Sequence, residues 1–327
     1  MKRLHILSFA TLFAAGIIIL ATAASQAQDG YPSQIVKIVV PVPAGSTTDT
    51  LARMMADNFS RKWSKPAVVE NIAGGGMNIG SERVARAAPD GHTLLVAPPG
   101  PITLHQLLFR DLAYNPTQFV PITMLAKISN VLVASKKLPV TSLKELIAYA
   151  KANPGKLTYA SQGPGSTAHL SASQLEVLAG IKMVHVPYRG AVPALNDVVA
   201  GHVDLFFDTL TTSVPLYRGD KVKILAVAGL TRAAAAPELP TMAEAGLPGF
   251  RSITWFALVA PPGTPPALAA RLNRDAVEIL QSKEVSDRLR DISLEVGATS
   301  LAETAKFFAD ETVLWSKVIT EANIKPQ

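Results

Sequence analysis

The chain has 327 residues, with 31 Lys and Arg against 25 Asp and Glu, a formal net charge of +6. It contains no Cys, which excludes disulfides, thiol nucleophiles, Cys-ligated metals and a small disulfide-stapled domain. The basic residues are scattered without interleaved aromatics, so nucleic acid is not an expected partner. A mildly positive surface is compatible with anionic ligands.

In chain order, the first segment reads as an export signal. Lys2 and Arg3 precede an apolar run from Ile6 to Ala24, and Ser25 and Ala27 place small residues on either side of Gln26, as a cleavage site before Gln28 requires. Residues 1–27 are therefore expected to be a signal peptide and the mature chain exported. A retained membrane anchor is the alternative, since the run approaches the length of a spanning helix. No later apolar run is long enough to span a membrane.

The remaining chain, about 300 residues, suggests two domains or one large one. Strand-like and helix-like segments alternate along it. Residues 35–40 predict a strand, and 49–60 predict a helix with Leu51, Met54, Met55 and Phe59 on one face. A strand follows at 67–70, a helix near 79–88, a Pro89-Asp90-Gly91 turn and a strand at 92–97. The alternation resumes with helices at 142–153, 168–178 and 191–200 and strands at 157–160, 183–186, 203–207 and 223–227. Such repeated units predict an α/β fold with mostly parallel sheets. Two long apolar stretches, 120–135 and 250–260, read as crossings between lobes, and amphipathic helices follow at 265–282 and 301–322. This places lobe 1 at 28–127 plus 253–327 and lobe 2 at 128–252.

Three loops share one design, a strand followed by a Gly- and hydroxyl-rich turn and then a helix: residues 41–49, 70–78 and 161–167. Glycine lets backbone N–H groups approach a ligand. The helix start behind each loop carries unpaired N–H groups and partial positive charge, and Ser and Thr add donors. Together these form a carboxylate or phosphate site that needs no Lys or Arg. The plain alternative is that Ser46, Thr47, Thr48 and Ser166 only cap helices. Asp49 either orients its own loop or contacts the ligand; repulsion between carboxylates favours the first.

The same residues carry a resemblance to the Bug (Bordetella uptake gene) family, the solute receptors of tripartite tricarboxylate transporters. It rests on Tyr31-Pro32-Ser33, on Val40-Pro41-x-Pro43-x-Gly45-x-x-Thr48-Asp49-x-Leu51-Ala52-Arg53, on Val69-Glu70-Asn71 and Asn78-Ile79-Gly80, and on Ala88-Pro89-Asp90-Gly91-His92. It continues through Tyr159-Ala160-Ser161-x-Gly163-x-Gly165-Ser166-x-x-His169, His185-Val186-Pro187-Tyr188-Arg189-Gly190, Val203-Asp204-Leu205-x-Phe207-Asp208 and Ala260-Pro261-x-Gly263-Thr264-Pro265. The resemblance implies a type II periplasmic-binding-protein fold, with two α/β lobes, crossover strands and a central cleft. It further implies closure around a small organic acid and delivery to inner-membrane permease subunits, with no cofactor and no catalysis. Carried over residue by residue, it assigns Gly45, Ser46, Thr47 and Asp49, with Asn78 nearby, to the ligand site on the first lobe. On the second it assigns Ser161, Gly165, Ser166, Thr167 and His169, with Asp208 and Thr209 at another strand end. The family usually has Gly where Ser46 stands, Arg-Pro where Ile72-Ala73 stand and often Gly where Met77 stands, so the far end of the pocket is expected to be reshaped.

Several residues admit two readings. Tyr188 either hydrogen-bonds the ligand or packs, Arg189 either forks a carboxylate or lies exposed, and Trp255 is either a cleft wall or core. An exported sensor for a membrane signalling partner would use the same cleft, and a monomer is expected in either case. Among enzymes, Gly163-Pro164-Gly165-Ser166-Thr167-Ala168 matches the dinucleotide fingerprint, but the next strand ends without the acidic residue that a ribose requires. The chain has no G-x-S-x-G elbow, H-E-x-x-H or phosphate-loop Lys motif.

Overall fold

The computed structural model describes residues 30–327 apart from 234, 322, 323, 325 and 327; the export segment read at 1–27 lies outside them. No helix among the described residues is long and apolar enough to cross a membrane.

The first lobe is built on β1 (Val36–Val40), flanked in parallel by β2 (Ala67–Asn71) and β3 (Thr93–Ala97). β1 and β3 are buried almost throughout, which is why they read as apolar runs rather than as alternating patterns. Between β1 and β2 runs α1 (Thr47–Trp63), whose Leu51, Met55 and Phe59 stripe is fully buried. After β2, Gly74, Gly75, Gly76 and Met77 all take positive φ before α2 (Asn78–Ala85). β3 leads through a π-helical turn at Gly100–Leu104 into the short α3 (His105–Leu108).

β4 (Val120–Ser135) joins the lobes. Up to Ser129 it pairs with β9 (Ile253–Ala260); from Asn130 onward it pairs with β7 (Leu205–Thr209) and β8 (Val222–Val227). The short β10 (Glu295–Val296) also joins β4. In the second lobe, β5 (Thr158–Ser161) lies parallel between β6 (Val184–Pro187) and β7. Its helices are α4 (Leu143–Ala152), α5 (Thr167–Ala179), α6 (Ala191–Ala200) and α7 (Leu210–Arg218). The chain then returns along β9, and α8 (Pro266–Gln281), α9 (Lys283–Asp291) and α10 (Leu301–Glu321) complete the first lobe. α8 packs on α1 and β4, and α10 on β4.

One expectation needs correction. The sheets are mixed rather than mostly parallel. Among the named strands of the described residues, parallel pairing is limited to β1–β2, β1–β3, β5–β6 and β5–β7, whereas every pairing of β4 and β9 is antiparallel. The reason is topological: the chain leaves the first lobe along β4 and comes back along β9, so the two crossovers run in opposite directions.

Candidate functional site

A cavity of about 50 Å³, several times the space one water needs, lies between the lobes. The β1–α1 loop contributes Val42, Ser46, Thr47 and Thr48, and the second lobe contributes Gln162, Ser166, Thr167, Ala168 and Ala191. The end of β7 adds Phe207, Asp208 and Thr209. The crossover strands add Asn130, Thr254 and Phe256, while Met77, Pro98 and Gly100 form the remaining wall.

Four helix starts face this space. α1 and α5 present Ser46–Thr47 and Ser166–Thr167, α6 presents its first residue Ala191, and α7 its N-cap Thr209. Capping and lining turn out not to be alternatives. Ser46 Oγ accepts from Asp49 N at 3.2 Å and Ser166 Oγ from His169 N at 3.3 Å. An accepting hydroxyl keeps its own proton to donate. Thr47 and Thr209 meet across the cleft, Oγ1 to Oγ1 at 2.8 Å.

Asp49 organises the first loop from behind. Its Oδ2 accepts from Gly45 N at 2.9 Å and Arg53 Nε at 3.0 Å, and its Oδ1 from Asn71 Nδ2 at 2.9 Å. Burial alone would raise this carboxyl, but hydrogen bonds from Arg53, Gly45 and Asn71 outweigh it and hold the group below its usual range. Asp208 has the opposite balance. It is 1 % exposed, its Oδ2 accepts from Thr212 Oγ1 at 2.6 Å and Ser213 Oγ at 2.8 Å, and burial still holds it above the usual range.

The second-lobe loop is braced by Ser161, whose Oγ bonds Gly163 N at 3.0 Å and His185 Nε2 at 2.6 Å. Gly165 N donates to His169 Nδ1 at 3.3 Å, and His169 stacks on His185 with centroids 4.4 Å apart. Burial, helped by the neighbouring His185, lowers His169 to about 4, and burial lowers His185 to about 4. Asn78 Oδ1 accepts from Tyr114 OH at 3.2 Å and lies 2.5 Å from His105 Nδ1, whose ring burial keeps neutral at a pKa of about 3.

Of the thirteen residues assigned from sequence, Ser46, Thr47, Ser166, Thr167, Asp208 and Thr209 line the cavity. Gly45, Asp49, Asn78, Ser161, Gly165 and His169 lie behind it in the loops just described, and Tyr188 OH donates to Asp197 Oδ2 at 2.6 Å on α6. Arg189 is exposed and outside the lining. Trp255 is core: it stacks on Phe308 at 5.1 Å and donates to Glu311 Oε2 at 2.8 Å, on the face of β9 opposite Thr254 and Phe256. Sequence reasoning missed Asn130 and Thr254. Their signal was a polar residue set in an otherwise apolar strand. Of the three departures from the family pattern, Ser46 and Met77 line the cavity and Ile72 does not.

Two α/β lobes joined by crossover strands, with a cavity ringed by helix starts, define a solute-binding protein of the type II periplasmic-binding architecture. Residues 51–324 match the family model described as the tripartite tricarboxylate transporter family receptor. The chain belongs to that family, which is one of receptors rather than enzymes. Among its relatives, a protein from the tcbD–tcbE intergenic region of Pseudomonas sp. strain P51 is 36 % identical over 94 % of this chain and 93 % of its own. BugT of Bordetella pertussis is 34 % identical over 93 % and 94 %. Among solved structures, Rpa4515 of R. palustris with adipate is 36 % identical with a TM-score of 0.88, covering 91 % of this chain and 100 % of its own. MatC from Rhodopseudomonas palustris with bound malate is 35 % identical with a TM-score of 0.84, covering 88 % and 100 %.

Proposed function

We propose that the protein is a periplasmic receptor that captures a small organic carboxylate between its lobes and delivers it, as a monomer, to inner-membrane permease subunits of the tripartite tricarboxylate type. The observation that carries this reading is the convergence of four helix starts on one cavity whose lining, among the described residues, has no Lys, Arg or His. Helix N-termini and hydroxyls hold an anion without a countercharge. The carboxylates named with the solved relatives, adipate and malate, point the same way.

In this reading Ser46, Thr47, Ser166, Thr167 and Thr209 touch the ligand. Gly45, Asp49, Asn78, Ser161, Gly165, His169 and Tyr188 hold the loops that present them, and Asp208 closes the β7 side. The lobe division, 28–127 plus 253–327 against 128–252, belongs to the same proposal; the partner change in β4 between Ser129 and Asn130 and the start of β9 at Ile253 support it.

The test is a thermal-shift screen of mono-, di- and tricarboxylates on the purified protein. At least one acid raises Tm with a Kd in the micromolar range or below, about 8 kcal/mol of binding energy. No shift across the panel removes the carboxylate assignment.

A further inference from the structure

The polar groups around the cavity are unequally committed. Asn130 and Thr254 are bonded to each other, Thr254 Oγ1 donating to Asn130 Oδ1 at 2.8 Å, and Asn130 Nδ2 donates on to Ser252 Oγ at 2.6 Å. Asp208 Oδ2 is likewise taken up, by Thr212 Oγ1 at 2.6 Å and Ser213 Oγ at 2.8 Å. The hydroxyls and N–H groups suited to an anion belong to the helix starts described above. Much of the rest of the wall is apolar, with Val42, Met77, Pro98, Phe207 and Phe256 as its large side chains.

Met77 is the unusual member of that wall. It is 3 % exposed and sits at φ 81°, ψ −2°, left-handed backbone that a non-glycine residue adopts only under strain. Its side chain reaches Gly100 so closely that a Cβ there would lie 2.8 Å from Met77 Cε. The strained backbone fixes where Met77 leaves the chain, and Gly100, which has no side chain, leaves room for its thioether against the cavity.

We propose that the cavity takes an acid with a single carboxylate and an apolar body, and that Met77 sets this preference by closing one wall with a thioether. The inference rests on the carboxylate-capture reading and narrows it. A first carboxylate is met by the helix starts. A second one would be stripped of water against Met77 and Phe256, and burying an unpaired charge is strongly unfavourable. Half-buried Gln162 offers a neutral amide, which does not replace the lost hydration of a full charge.

Matched acids test this by calorimetry on the purified protein: hexanoate against adipate, butanoate against succinate, benzoate against phthalate. Each pair differs by one carboxylate, and the monoacid is expected to bind at least tenfold tighter in at least one pair, with no diacid ahead of its partner. Met77→Gly relaxes at φ 81° and opens the wall, and Met77→Asn tolerates the same backbone while adding an amide. Both variants are expected to stay folded, with a Tm lowered by the lost burial of the thioether, and to shrink the mono-to-diacid ratio at least tenfold. The proposal is overturned by a diacid that beats its partner in any pair, by the absence of a tenfold preference in every pair, or by a ratio that neither variant moves. If diacids alone bind, carboxylate capture stands and only this proposal falls. If no acid binds, capture itself fails and takes the proposal with it.

Discussion

Thr47 and Thr209 come from opposite lobes, yet their hydroxyls are 2.8 Å apart, and Thr209 Oγ1 is also 3.1 Å from Thr212 Oγ1. Thr47→Val keeps the shape of the side chain and removes only the hydroxyl. Losing one neutral hydrogen bond in the closed site should weaken acid binding by up to about tenfold, read by calorimetry with whichever acid shifts Tm most; an unchanged Kd would remove Thr47 from the site. His169 works from behind the loop. Its folded pKa of about 4 lies below the usual value of 6.5, so between those values the unfolded chain binds a proton that the folded one refuses. Stability contributed by neutral His169 is therefore complete above pH 6.5 and lost as pH falls toward 4. His169→Asn retains an acceptor for Gly165 N and does not titrate. Denaturant midpoints taken from pH 7 to pH 4 should fall less steeply in the variant, by at most about 1.4 kcal/mol per pH unit. Parallel curves would show that His169 is not the sensitive group, leaving the other two histidines with lowered values, His185 and His105.

At the scale of elements, sequence and structure agree where local pattern decides and part where a partner strand does. The expected β4 stretch matches Val120–Ser135 end to end, because sixteen residues of near-continuous burial leave a mostly apolar run in which Pro121, Lys127 and the Ser129-Asn130 pair are the main interruptions. α6 matches as well, since Gly190 and Gly201 bracket its apolar face. Strand direction was not legible: residue 255 reads the same whether β9 runs with β4 or against it, and only the return path of the chain decides. α7 was also not recognised, because Pro215 sits inside it and Thr-rich Leu210–Arg218 has little periodicity. In the site, the helix starts were legible because glycine and hydroxyl residues mark them. The crossover contribution was not, because Asn130 and Thr254 become neighbours only through the β4–β9 pairing and the hydrogen bond it permits. Trp255 shows the same limit. Its place in an apolar run could not say which face of β9 it occupies, and on the core face it is a poor reporter of ligand. Melting temperature is therefore the better readout than tryptophan fluorescence.

At the scale of the whole molecule, the two lobes touch through glycines. A Cβ on Gly163 would lie 3.1 Å from Gly76 Cα, one on Gly165 would lie 3.0 Å from His105 Cδ2, and one on Gly190 would lie 2.4 Å from Pro43 Cδ. Gly163 and Gly165 have φ of 115° and 75°, so replacing either would strain its own loop and confuse local damage with a blocked closure. Gly190 is different. Its φ of 166° is extended backbone open to any residue, and only Pro43 of the opposite lobe forbids a side chain there. Gly190→Ala should therefore fold normally and hold the lobes apart. Without ligand its Tm should stay close to that of the parent. With a binding acid it should lose at least tenfold in affinity, and X-ray scattering should show no compaction. Pro43→Ala removes the colliding ring carbons, so the double variant should recover most of the lost affinity, and the size of that recovery measures the coupling between the two positions. A Gly190→Ala protein that compacts and binds like the parent would mean that capture does not require the lobes to meet at this seam.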